Sequence, residues 1–193
     1  TRYTDPQHYA RQWTETGYIE FFTGAIETTG ETICYNTAAS EIGSLTPASG
    51  GDESITYSWR SSADSYAADI PGADAAAYSP GTLTQTTTFR RYAHDGTCNT
   101  DPEPSTGEWI VTVYDDFTPG AIETSGETIC YNHDASEIGS VAPSSGGDES
   151  ITYAWRSSAD SYAADIPGAD AAAYTPGTLT QTTTFRRYAH DGT

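Results

Sequence analysis

Residues 120–193 repeat residues 24–97 at a constant offset of 96, and only eight of the 74 aligned positions differ. Cys34 returns as Cys130 and Trp59 as Trp155, while Thr37 becomes His133, Leu45 becomes Val141 and Ser58 becomes Ala154. Any fold for this chain must therefore be built twice from nearly the same instructions. A period of 96 residues is too long for a solenoid turn, which typically spans about 20–45 residues and cannot bury its own core. It suits a small domain with a core of its own. Copying one domain head to tail lengthens an object without adding chemistry. That favours a stalk, a fibre or a multivalent binder, and disfavours an enzyme.

The ends read as cuts through something longer. The second copy stops at Thr193, the equivalent of Thr97, one position before the first copy has Cys98, and it has no counterpart of Gly107–Val113. The sequence opens without Met or an apolar signal segment, and it holds no run of about 20 apolar residues that could span a membrane. The expected division is 1–22 as the tail of a preceding, divergent module, 23–115 as the first repeat and 116–193 as the second, truncated before its last strand. Arg2 and Tyr3 echo Arg91 and Tyr92, and Gly17–Phe22 echo Gly107–Phe117. Asp5 before Pro6, with Tyr9 and Trp13 four apart, would equally start a short helix.

Charge narrows the partners. The chain has 27 acidic residues against 8 basic ones, all of them Arg, for a net charge of −19. Phosphate neutralisation of nucleic acid and attachment to an anionic membrane both require the opposite balance. The acidity fits either a well-solvated surface or a set of cation ligands. An aromatic content of 12% sets the chain apart from disordered sequences, which are poor in such residues.

Within each repeat, strand signals alternate with turn chemistry. Ile55, Tyr57 and Trp59 fall on one face of an alternating run, with Thr56 and Ser58 on the other, so the Ser58 to Ala154 exchange should matter little. Glu31–Tyr35, the Thr-rich and aromatic Thr86–His94, and Trp109–Val113 read as further strands. Ser49-Gly50-Gly51-Asp52, Ile70-Pro71-Gly72, Ser79-Pro80-Gly81 and Asp95-Gly96 separate them. No window supports a long amphipathic helix. The expectation is an all-β chain of tandem immunoglobulin-like β-sandwich modules with a 96-residue period.

The order Cys34, Trp59, Cys98 resembles the antibody pattern with a departure. The position two residues after Tyr92 is His94, and Cys98 comes four residues later, beyond the Asp95-Gly96 turn. A Cys34–Cys98 bridge would clip a strand end to a loop and stabilise by about 4 kcal/mol in the chain-entropy model. Cys130 would then pair with a cysteine beyond the chain end. The alternative is free buried thiols, since persistent disulfides require an oxidising setting.

Gly24-Ala25-Ile26, Thr32-Ile33-Cys34-Tyr35, Tyr57-Ser58-Trp59, Asp69-Ile70-Pro71-Gly72-Ala73, Tyr78-Ser79-Pro80, Leu83-Thr84-Gln85-Thr86-Thr87 and Arg90-Arg91 together resemble the immunoglobulin-like repeats of giant cell-surface adhesins of the Bacteroidota. The resemblance covers residues 24–193. It implies export by the type IX secretion system, an extracellular, cell-surface location, and a role in stalks or filaments that mediate attachment and gliding. It supplies no catalytic residues. The high acidity and the lack of Lys depart from that pattern and suggest a saline setting. The implied partners are neighbouring modules of the same chain, copies of itself in a filament, and a host or prey surface reached through a tip domain outside this chain.

Three chemical alternatives stand beside this reading. His94-Asp95 among many Ser residues lacks the nucleophile elbow of a hydrolase. Calcium favours hard oxygen ligands of the kind that Asp52, Glu53, Asp95, Asp101, Glu103 and the junction pair Asp115-Asp116 offer, although no EF-hand loop is present. A carbohydrate- or protein-binding module would use exposed aromatics as platforms. Tyr66 and its copy Tyr162 are the better candidates, because Tyr78 and Tyr174 precede a Pro-Gly turn and are expected to pack inward. Arg60, Arg90 and Arg91 are expected to pair with carboxylates across strands.

Overall fold

The computed structural model describes residues 17–192. The short-helix alternative at Asp5–Trp13 and the echo at Arg2 and Tyr3 lie outside those residues. Among the described residues the chain is all-β, broken only by single 3-10 turns at Ser62–Asp64 and Ser158–Asp160. None of their helical segments is long and apolar enough to cross a membrane.

Eleven strands precede Tyr114: β1 (Ile19–Phe22), β2 (Ala25–Ile26), β3 (Glu31–Ile33), β4 (Thr37–Ala38), β5 (Ser44–Thr46), β6 (Ser49–Gly51), β7 (Thr56–Ser61), β8 (Thr82–Leu83), β9 (Thr87–His94), β10 (Glu103–Pro104) and β11 (Trp109–Val113). Eight follow it: β12 (Asp115–Thr118), β13 (Ala121–Ile122), β14 (His133–Asp134), β15 (Ser140–Ala142), β16 (Ser145–Gly147), β17 (Thr152–Ser157), β18 (Thr178–Leu179) and β19 (Phe185–His190).

In the first copy β9 is the central strand. Thr87, Phe89, Arg91 and Ala93 are buried and alternate with part-buried neighbours, the period-two signature of a strand with one face inward. One edge of β9 pairs antiparallel with β7, from Thr56↔His94 to Ser61↔Phe89. Its other edge is shared. β11 takes the first half through Trp109↔Phe89 and Val111↔Thr87, and β10 takes the second through Glu103↔Ala93. β3 extends the sheet in parallel beyond β11, with Val111↔Glu31 and Val113↔Ile33. Short antiparallel pairs, β1 with β6, β2 with β5 and β4 with β8, make up the rest. Ile26, Ile42, Trp59, Ala73, Phe89, Trp109 and Val111 close over one another as the core. Tyr78 packs between Trp59 and Phe89, with centroids 5.5 and 5.7 Å away, so its inward placement agrees with the sequence expectation.

The second copy repeats this plan. β17 pairs with β19 from Thr152↔His190 to Ser157↔Phe185, and β12–β16, β13–β15 and β14–β18 reproduce the small pairs. The β1 and β12 pairings fall at two expected boundaries. Ile19–Phe22, expected to end a preceding module, pair with Ser49–Gly51 of the first copy. Asp115, placed at the end of the first repeat, pairs with Gly147 and opens the second.

Candidate functional site

Six Arg side chains fall among the described residues, and each lies over a Tyr ring. Arg60 covers Tyr92 at 4.3 Å, Arg90 covers Tyr66 at 3.9 Å and Arg91 covers Tyr57 at 4.9 Å. Arg156 over Tyr188, Arg186 over Tyr162 and Arg187 over Tyr153 repeat the set. Each such stack contributes roughly 0.5–1 kcal/mol where exposed and more where water is excluded. The expected carboxylate pairing holds for two of the three Arg in the first copy. Arg60 Nε donates to Asp69 at 2.6 Å, and Arg90 pairs with Glu108. These bonds raise the guanidinium pKa of Arg60 and Arg90 and hold the Asp69 carboxyl below its usual range.

Arg91 departs from that expectation. It is fully buried, and its six hydrogen bonds go to neutral groups. Nε donates to Ser105 Oγ at 2.9 Å, Nη1 to Ser44 Oγ and the Ala76 carbonyl, and Nη2 to the carbonyls of Thr23, Ala25 and Thr46. Burial lowers its pKa. A fork of five donors is well matched to several strand ends at once, and this guanidinium ties together β2, β5, β9 and the segment just after β10. Arg187 repeats four of these bonds, to Ser140, Ala172, Pro119 and Ala142.

The Tyr66 and Tyr162 platforms are also altered by this arrangement. Both residues sit at positive φ, 62° in each copy, after the 3-10 turn. Each has a guanidinium on one ring face and is only part-exposed.

The acidic candidates are scattered. Asp95 is 1% exposed, and its carboxylate accepts the backbone N–H groups of Thr97, Cys98 and Asn99 together with Asn99 Nδ2. Those bonds, led by Asn99, hold its pKa far below the usual Asp value. Gly51, at φ 62°, lies against this carboxylate, and a Cβ there would collide with it. Asp52 accepts from Ser54, Gly96 and Thr97, and the Thr97 hydroxyl contributes most to lowering its pKa. Glu53 and Asp101 are exposed, as are Asp115 and Asp116 on β12. Among the described residues no three His, Cys, Asp or Glu side chains converge as a metal site. His94 Nε2 lies 2.7 Å from Thr56 Oγ1, while Asp95 is turned into its own loop.

The expected Cys34–Cys98 bridge does not form. Cys34, Cys98 and Cys130 are free and exposed. Topology gives the reason. Cys34 follows β3 at the end of the sheet where β9 begins, whereas Cys98 follows the end of β9. The eight residues of β9 separate the two by more than 20 Å at about 3.3 Å per residue, against the roughly 4.4–6.8 Å between Cα atoms that a disulfide spans.

A broad concavity lies in the second copy. It is a groove of about 910 Å³ lined by Ile122, Ile129, Ile138, Leu179, Thr183 and Phe185. In the first copy β11 runs between the equivalents of its walls, and the remaining depression beside Leu83 and Phe89 is about 290 Å³. Nothing in the sequence reading located this groove. The second copy reaches only the equivalent of Thr97 here, so a segment corresponding to Gly107–Val113 is not among the described residues.

Repeated sequence, repeated strand register and repeated Arg–Tyr stacks define a tandem array of all-β modules. The chain belongs to a family described as a domain of unknown function (DUF8696), which matches residues 23–114 and again 118–193. No curated protein matches the chain.

Proposed function

We propose that this chain is a structural repeat segment of a large secreted surface protein, two immunoglobulin-like β-sandwich modules in the stalk or filament of an adhesin that attaches cells to a surface. The observation that carries the reading is the joint. β11 of the first copy ends at Val113 and β12 of the second begins at Asp115, so Tyr114 alone separates two strands of successive modules. Its N–H donates to the Ile33 carbonyl at 3.0 Å, which ties the single linking residue back to the first module. Long independent linkers suit modules that act separately. A one-residue joint suits a continuous rod.

The immunoglobulin-like assignment is supported by β7, β9 and β11 lying side by side as strands C, F and G do in that fold, with the fully buried Trp59 on the strand in the C position. The adhesin and type IX secretion assignment is supported by the sequence resemblance over residues 24–193. Electron microscopy of the native full-length protein, free and on cells, is the test. Beaded rods or filaments with one bead per 96-residue unit, roughly 30–40 Å each for strands of about 8–10 residues plus the joint, are expected. Compact isolated particles would overturn the reading.

A further inference from the structure

The segment by which the chain enters each module is gripped by a buried guanidinium. In the first copy that segment is β1 and β2, and Arg91 reaches it from β9. Nη2 donates to the carbonyls of Thr23 and Ala25 at 3.3 Å each and to that of Thr46 at 3.1 Å. Ser105, which accepts the Nε bond, itself donates to the Thr23 carbonyl at 2.7 Å. Gly24, at φ 71°, permits this convergence, because a Cβ there would collide with the Thr46 carbonyl. The second copy keeps the grip while its residues change. Arg187 donates to the carbonyls of Pro119 and Ala142, which stand where the first copy has Thr23 and Thr46, and Gly120 at φ 68° repeats the close approach. Main-chain oxygens are the acceptors, so the side chains at these positions are free to vary.

A load carried along the chain meets this grip first. Ile19 pairs with Gly51, which lies against Asp95 just beyond the end of β9, whereas the chain leaves after Val113, past the Val111↔Thr87 pair at the start of β9. Entry and exit therefore sit at opposite ends of β9, and a load draws residues 19–26 outwards along it. Water cannot replace the bonds one at a time, because Arg91 is 0% exposed, and a carbonyl left unpartnered in such a site carries its full desolvation cost. We propose that Arg91, and Arg187 in the second copy, is a load latch that keeps the entering strand in place until the module yields as a whole. The latch is a property of the module; its use in attachment rests on the stalk reading, which electron microscopy tests separately.

Force spectroscopy on the 193-residue chain, held at its two ends, is the test. The native chain is expected to open in one step per copy. Arg91→Lys keeps the charge but loses the planar fork. It should add an early step at lower force, in which residues 19–30 come free as a segment of about 40 Å, at about 3.3–3.6 Å per residue. Arg187→Lys should add the corresponding step for residues 115–126. Ser44→Ala, a lighter change that removes one acceptor of Arg91, should bring the first copy's early step in a smaller share of traces. Leu83→Ala is the control, since it trims the core on β8, which pairs with β4 and not with the entering strand. It should lower the force of the whole-module step and add no early one. An Arg91→Lys chain that opens in the native pattern at the native force would overturn the latch. So would the same early step in Leu83→Ala, which would make Arg91 one contributor to stability among many. If Arg91→Lys does not fold, Ser44→Ala decides, and its opening in the native pattern would overturn the proposal.

Discussion

The two copies carry almost the same sequence and differ in how far that sequence is buried. Phe89 is 3% exposed and Ile26 2%, while their counterparts Phe185 and Ile122 are part-exposed. β9 runs eight residues and β19 six, and Glu31–Ile33 form a strand whose counterpart at 127–129 does not. Trp59 and Trp155 are alike at 0%. The half of the module around the Trp is therefore self-sufficient, and the half around the Phe takes its order from β11.

That contrast can be tested by breaking β11 in the copy that has it. Trp109→Ala should destabilise the first copy by about 3–5 kcal/mol, the usual cost of truncating a buried aromatic. Calorimetry should then show the first copy's transition falling while the second copy's stays where it was. A common shift of both transitions would mean that the copies unfold as one unit. The buried guanidinium comes next. Arg91→Met should cost roughly 3 kcal/mol, because it strands several buried carbonyls, and Arg187→Met should cost less, having fewer bonds to lose. Equal losses would mean that the Ser105 and Ala25 contacts contribute nothing.

A smaller effect appears in acid. The Asp95 pKa is depressed in the folded state, so its contribution is present above the unfolded value of about 3.9 and fades as pH falls below it. Asp95→Asn should flatten the acid limb of the first copy's stability between about pH 5 and pH 2, as read from urea titrations at each pH. An unchanged acid limb would show that the loop opens before the carboxylate titrates. The smallest effect concerns the divergent positions. Leu45→Val and Ser58→Ala, which give the first copy the residues of the second, should each change stability by less than about 0.5 kcal/mol. Leu45 and Val141 are both exposed, which is why the exchange is tolerated.

Local alternation carried far in this chain. Trp109–Val113 and the run around Trp59 announce themselves by period, and both are strands at or within two residues of the expected limits. Relations between distant segments were harder to read. Cys34, Trp59 and Cys98 follow one another in a familiar order, yet the order of residues along a chain does not say at which end of a sheet each one emerges. The Arg–Tyr stacks were also missed, although Arg90-Arg91-Tyr92 opposite Tyr57 and Arg60 contains every partner but Tyr66. Seeing them required the register Ser58↔Tyr92 and Arg60↔Arg90, which depends on where the β7 and β9 ladder begins. Arg91 is the sharpest case. A charge at an inward position of a strand breaks the expected pattern, and only the carbonyls and hydroxyls converging from four other segments explain it.

The parallel pairing of β3 with β11 has a consequence for tension. The chain enters β3 from the end of the sheet where β11 also begins, and it leaves β11 at the other end beside Ile33. Pulling on the two ends of the first copy therefore draws these neighbouring strands in opposite directions along their length. The hydrogen bonds between them lie across the pull and are loaded together in shear, so the strands must yield as a set where a hairpin would peel bond by bond.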